Sequence, residues 1–207
     1  RISFHVGRKE LGGDSIILRE DEIQIGRGET IADTARVLSR YVDGIMIRTF
    51  DPADVEGLAE FGTVPVINGL TDLEHPCQVL ADLYTIRQRF PGGRGPEWTD
   101  CGIAYVGDGN NVARSLCLGA ASAGASFAIA SPPGYGLDSE TLDMARQRAS
   151  EGESNVAGLV SPVEALTDAD VVYTDVWTGM GQEAQTEQRL RDFEGYTVDE
   201  DLLSRAK

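Results

Sequence analysis

Short apolar runs alternate with helix-patterned segments along the chain, and no other feature limits its fold so strongly. SIILR (15–19), GIMIRTF (44–50) and VPVI (64–67) read as short buried strands. TIADTARVLSRYV has helical spacing with Thr30 as its N-cap, and DPADVEGLAEFG is a helix closing on Gly62. Another helix opens at HPCQ, with Pro76 in its first turn and Val79, Leu80, Leu83 and Ile86 as its apolar stripe. The Gly/Pro-rich PGGRGPEW (91–98) interrupts the pattern. A second series follows: strand CGIAYVGD, helix NNVARSLCLGAASAG, strand ASFAIAS, turn SPPGYG and helix LDSETLDMARQRASEG. Strands NVAGLVS and ADVVYTD then flank the short helix SPVEALTD. Two successive β-α-β series predict an α/β chain with two parallel-sheet domains, over 1–92 and 99–207.

The 207 residues, 41% of them hydrophobic, suffice for one large domain or two small ones with real cores. No apolar run approaches the ~20 residues of a membrane span, and no signal-peptide pattern is present. Cys77, Cys101 and Cys117 are an odd set without metal spacing, which predicts reduced thiols in a cytoplasmic protein. A formal net charge of -16 argues against nucleic acid and anionic membranes as partners. Arg1 in place of a methionine, and the abrupt end at LLSRAK, predict part of a longer protein.

Ligands of open α/β sheets sit beyond the carboxyl ends of strands. Four polar stretches occupy that place: RTF, HPCQ, GDGNN and TDVWTGMG. HPCQ admits two readings, a capped helix start or an anion site at free backbone amides. Arg48 suits an interdomain salt bridge or a fork for phosphate or carboxylate. GDGNNVARS lacks the third glycine of a dinucleotide fingerprint, because Val112 stands there, so nicotinamide binding is not expected. Asn110 and Asn111 suit helix capping or a zwitterionic ligand. Asp82, one turn beyond Gln78, is either a support for it or a solvated charge. Cys77 is expected to pack rather than attack, and no nucleophile triad or metal-ligand cluster emerges.

In order along the chain, ARVLSRYVDGIMIRTF, HPCQVLADLYT, YVGDGNNVARS and YTDVWTGMGQE resemble the ornithine carbamoyltransferases of the aspartate/ornithine carbamoyltransferase family. The resemblance covers essentially the whole chain. It implies the carbamoyltransferase fold, with an N-terminal carbamoyl-phosphate domain and a C-terminal ornithine domain, both partial in this chain. It implies transfer of a carbamoyl group from carbamoyl phosphate to the side-chain amine of L-ornithine, giving L-citrulline and phosphate. No cofactor and no metal are required, and the assembly is a homotrimer or a multiple of trimers. By the same resemblance His75 and Gln78 hold the carbamoyl group, with His75 donating to the developing oxyanion. Arg48 contacts carbamoyl and phosphate oxygens, and Gln24 belongs to the phosphate region. Asn111, Asp175 and Met180 grip the α-amino and α-carboxylate groups of ornithine.

The chain departs from the family pattern at several places. Gly179 stands where serine is usual in the ornithine site, and His5 where glutamate is usual. The family's Ser-Thr-Arg-Thr loop would precede Arg1 and its His-Cys-Leu-Pro segment would follow Lys207, so the chain is expected to be truncated at both ends and inactive alone. Rival readings are a carbamoyltransferase for putrescine, acylated ornithine or aspartate, and a non-catalytic homologue.

Overall fold

The structure is a computed structural model that describes residues 2–19, 28–90, 97–149, 154–179 and 181–207. The chain forms two compact units, Arg1–Ile45 with Ala53–Val66, and Met46–Pro52 with Ile67–Lys207.

In the first unit, α1 (Ile2–Glu10) is followed by a turn and an irregular stretch over residues 11–19, and α2 spans Ile31–Leu38. Thr30 caps α2 as its sequence position predicts, its hydroxyl oxygen accepting the Asp33 amide at 3.1 Å. SIILR is not a strand: no strand pairs with residues 15–19 among the described residues, and Ile16 is 69% exposed. An apolar run becomes a strand only where a neighbour satisfies its backbone, and composition does not supply that neighbour. Two short strands, β1 (Ile45–Arg48) and β2 (Val66–Leu70), pair with each other and begin in this unit; α3 (Pro52–Phe61) lies between them in sequence. The pairing is parallel, with Ile45 N–H donating to the Pro65 carbonyl and Thr49 N–H to that of Leu70. β2 starts after Pro65, which has no amide for a ladder. At the end of α3, a Cβ on Gly62 would sit 2.6 Å from the Leu58 carbonyl oxygen, so a side chain is excluded there.

The second unit carries α4 (Pro76–Arg89) and a four-stranded parallel sheet. Its elements run β3 (Gly102–Val106), α5 (Asn111–Ala123), β4 (Ser126–Ala130), α6 (Ser139–Ala149), β5 (Val156–Leu159), α7 (Pro162–Leu166) and β6 (Val171–Tyr173). Two short helices, α8 (Thr186–Asp192) and α9 (Glu200–Leu203), complete it. Strand order is β5-β4-β3-β6, with Tyr105 level with Ile129 on one side and Tyr173 on the other. The two-residue period of β3 sorts its side chains between two cores. Ile103 and Tyr105 join α4, α5 and α6, whereas Ala104 and Val106 join α7, Phe193 and Tyr196.

Helix α4 buries Val79 and Ile86, seven residues apart, and Leu83 packs at the edge of the same core. Each fully buried aliphatic side chain of this size contributes ~1.5–3 kcal/mol. Leu80 belonged to the expected stripe but is 70% exposed, because a contact two turns long needs only one narrow face. Val79 also explains a glycine: a Cβ on Gly119 of α5 would lie 2.3 Å from the Val79 Cγ1. The start of α4 is thus seated directly on α5.

Candidate active site

β3 is the first strand of its sheet; the chain moves outward to β4 and β5, then returns to β6 on the opposite side of β3. That reversal leaves the loops after β3 and β6 side by side. Asn110 ties them together. Its Oδ1 caps α5, accepting the amides of Val112 and Ala113 at 3.0 Å each, and its Nδ2 donates to Asp175 Oδ2 at 3.3 Å. Asn110 is therefore the cap and Asn111 is not. Asn111, in the first turn, donates Nδ2 to the Thr71 carbonyl at 2.6 Å, reaching the loop that leads into HPCQ.

The glycines of GDGNN have local structural reasons. Gly107 adopts φ +151, and a Cβ on Gly109 would meet the Gly136 backbone at 2.5 Å. A side chain at either position would disturb the loop.

His75 is the N-cap of α4, and its backbone amide donates to the Ser115 hydroxyl at 2.7 Å. The imidazole Nδ1 accepts the Gln78 amide across a long 3.4 Å contact. Burial and the nearby Arg48 guanidinium hold the imidazole pKa below its ordinary value, against the opposing charges of Asp82 and Asp175. A neutral imidazole accepting at Nδ1 carries its proton on Nε2. His75 is thereby a neutral cap at the start of α4, as the capped-helix reading of HPCQ expects.

Arg48 ends β1 with its side chain exposed. Gln78 donates Nε2 to Asp82 Oδ1 at 2.9 Å, so Asp82 is a support and not a solvated charge. Cys77 directs its thiol to the Asn68 carbonyl at 3.2 Å, and burial pushes its pKa up; it packs. Asp175 accepts the Val176 amide at 2.8 Å through Oδ1. The Gly179 amide donates to Gln182 Oε1 at 3.1 Å. Gln24 and Met180 lie outside the described residues. His75, Gln78, Asn111, Asp175 and Gly179, with Arg48, all belong to the second compact unit.

Three supporting residues escaped the sequence reading. Ser115 fixes the His75 backbone, and Arg114 pairs with Glu74 beside it at 3.6 Å. Arg189 is nearly buried and bonded to Asp108 at 2.9 Å. The first two had a signal, their place within NNVARS; an arginine in EQRLRD reads as a solvated helix face. Among the described residues, no helix is long and apolar enough to cross a membrane.

Family models match both halves of the chain. The aspartate/ornithine carbamoyltransferase carbamoyl-P binding domain matches residues 1–88, and the Asp/Orn binding domain matches residues 99–207. The ornithine carbamoyltransferase of Caldicellulosiruptor saccharolyticus is 50% identical over all of this chain and 66% of its own length. That of Thermococcus kodakarensis is 51% identical, again over all of this chain and 64% of its own length. The ornithine carbamoyltransferase structure from Pyrococcus furiosus superposes with a TM-score of 0.90 at 49% identity, covering 100% of this chain and 64% of that one. The chain thus spans just under two thirds of the length of these relatives. With both domain models matched and half its residues identical to such relatives, the chain belongs to the aspartate/ornithine carbamoyltransferase family.

Proposed function

We propose that the protein transfers a carbamoyl group from carbamoyl phosphate to the side-chain amine of L-ornithine, giving L-citrulline and phosphate. The observation that carries this reading is His75, a neutral helix-capping imidazole beside the Arg48 charge. Relatives about half identical to the chain are named ornithine carbamoyltransferase, which supports the choice of acceptor.

The residues divide the work by charge. His75 Nε2–H donates to the carbamoyl carbonyl oxygen, which gains negative charge as the amine attacks; removing such a donor typically costs ~10²–10³ in rate. Arg48 faces the phosphate and carbonyl oxygens with a planar fork. Gln78 holds the carbamoyl amino group, and Gln24 serves the phosphate region. The amine lone pair forms the new N–C bond, the C–O bond to phosphate breaks, and phosphate leaves with the electron pair of that bond and takes up the proton that the attacking nitrogen sheds. The amine, with a lysine-like pKa of ~10, must first lose a proton. Asp175 complements the α-ammonium of ornithine, while Asn111, Gly179 and Met180 complete the site for its α-amino and α-carboxylate groups. In this reading the carbamoyl-phosphate domain is 1–92 and the ornithine domain 99–207, and the protein is a cytoplasmic homotrimer or a multiple of trimers.

The test is citrulline formation by the full-length protein, with ornithine, putrescine and aspartate each offered against carbamoyl phosphate. Turnover with ornithine that collapses in His75→Ala supports the reading. Turnover with another amine alone keeps carbamoyl transfer and changes the acceptor. No turnover with any of the three from a folded protein overturns it.

A further inference from the structure

The Gln78 carboxamide does not choose its own orientation. Its Nε2 lies 2.9 Å from one oxygen of Asp82, and the Tyr173 hydroxyl donates to the other at 3.0 Å. An ionised carboxylate accepts and does not donate, so Gln78 must turn its NH₂ toward Asp82. The reversed amide would set two acceptors against each other. The Gln78 Oε1 is then the group left for a ligand, and an acceptor is what a carbamoyl NH₂ requires.

The Tyr173 hydroxyl is itself held in place. Its ring stacks on that of buried Tyr105, with centroids 5.6 Å apart and planes 16° from parallel. Burial and the Asp82 charge push its pKa up, so it stays a protonated donor. One residue further on, the Thr174 hydroxyl donates to the Val106 carbonyl at 2.8 Å, and Asp175 follows. A short chain of bonds therefore runs from Gln78 through Asp82 and Tyr173 to the strand end that carries Asp175. It links a residue in the segment matched by the carbamoyl-P binding model to one in the segment matched by the Asp/Orn binding model.

We propose that Asp82 is a positioning residue that orients the Gln78 carboxamide toward the carbamoyl group and, through the Tyr173 hydroxyl, registers it to the loop bearing Asp175. The inference rests on the assignment of Gln78 to the carbamoyl group. Loss of Asp82 frees the amide to rotate, so ground-state capture of carbamoyl phosphate weakens more than the chemical step.

The experiment is a double-mutant cycle in the full-length protein, with carbamoyl phosphate varied at saturating ornithine. Asp82→Ala is expected to raise the KM for carbamoyl phosphate about 10-fold with a smaller change in kcat. Because Asp82 acts through Gln78, the Gln78→Ala/Asp82→Ala double variant should match Gln78→Ala within about 2-fold. Independent, multiplying effects would overturn the inference, as would an unchanged KM in Asp82→Ala. If Gln78→Ala itself left that KM unchanged, the assignment of Gln78 would fail and take the inference with it. Should Asp82→Ala not fold, Tyr173→Phe replaces it in the cycle. Removing that single hydroxyl must also raise the KM, and the effect must vanish in the Gln78→Ala background.

Discussion

The Asp108 carboxylate lies 2.9 Å from the Arg189 guanidinium across 81 residues of sequence, and both side chains are nearly buried. Arg189 also donates to the Trp177 carbonyl at 2.8 Å and to Gln185 Oε1 at 3.2 Å, and its guanidinium lies 5.0 Å from the Tyr135 ring centroid. One cation thus joins the loop after β3 to the loop after β6, the two that Asn110 joins on its own account. Burial pushes the Asp108 pKa up, while the Arg189 charge acts in the opposite direction.

Arg189→Leu removes one partner and leaves a buried carboxylate alone, which costs ~3–5 kcal/mol. Denaturant unfolding of the variant should report a loss of that size. The double replacement Asp108→Leu/Arg189→Leu should recover part of it, because no lone charge remains. A single variant as stable as the parent would mean that water reaches the pair.

His75 predicts a pH dependence. Its folded pKa is lowered by burial first and by Arg48 second, from an ordinary value of 6.5. On acidification the unfolded chain therefore takes up its proton before the folded one does. The stability linked to His75 is fully present above 6.5 and declines as pH falls toward the folded value. Protonation also ends the Nδ1 acceptance from Gln78. The acid limb of kcat/KM for carbamoyl phosphate should fall below 6.5; a limb centred above it would mean that Asp82 and Asp175 outweigh burial and Arg48.

Gly179→Ser should be accepted by the fold. A Cβ at this position would approach no atom closer than Gln182 Oε1 at 3.5 Å, an ordinary contact. Stability should stay within ~0.5 kcal/mol of the parent. An added hydroxyl that pairs with the α-amino group contributes ~1 kcal/mol, or a fall of about 5-fold in the KM for ornithine. Steady-state kinetics with ornithine varied would show it, and an unchanged KM would separate residue 179 from the amine.

The three cysteines should label in a fixed order. Burial pushes the Cys101 thiol up to about 11 and the Cys117 thiol up to about 12, whereas Cys77 is only partly buried. Iodoacetamide at neutral pH should modify Cys77 slowly in the native protein, and Cys101 and Cys117 only after unfolding. Peptide mass mapping gives the readout. Rapid labelling of Cys117 would mean that α5 lifts away from its core in the native protein.

Local chemistry was legible where it depends on neighbours in sequence. Thr30 as a cap, Pro76 in a first turn, Gly62 as a terminator and the strands around IAYV and VVY all follow from residues within a few positions. SIILR failed because a strand needs a partner, and Leu80 failed because the width of a buried face depends on what packs against it. The site was legible in part: HPCQ, GDGNN and TDVWTG could be named as strand-end stretches, but not which asparagine caps and which reaches across.

The sequence by itself determined the alternation of strand and helix, hence a parallel α/β architecture, and the residue types available at each strand end. Hydrophobic period and turn chemistry act over a few residues, so the order of amino acids is enough to encode them. Only the tertiary structure decided that Asn110 meets Asp175, that Gln78 meets Tyr173 through Asp82, and that Arg189 lies buried against Asp108. Those contacts span 65 to 91 residues wherever they cross between segments, and the return of β6 to the far side of β3 brings them together. A hydrogen bond or an ion pair is made in space, and no local pattern states which distant loop will supply the other half.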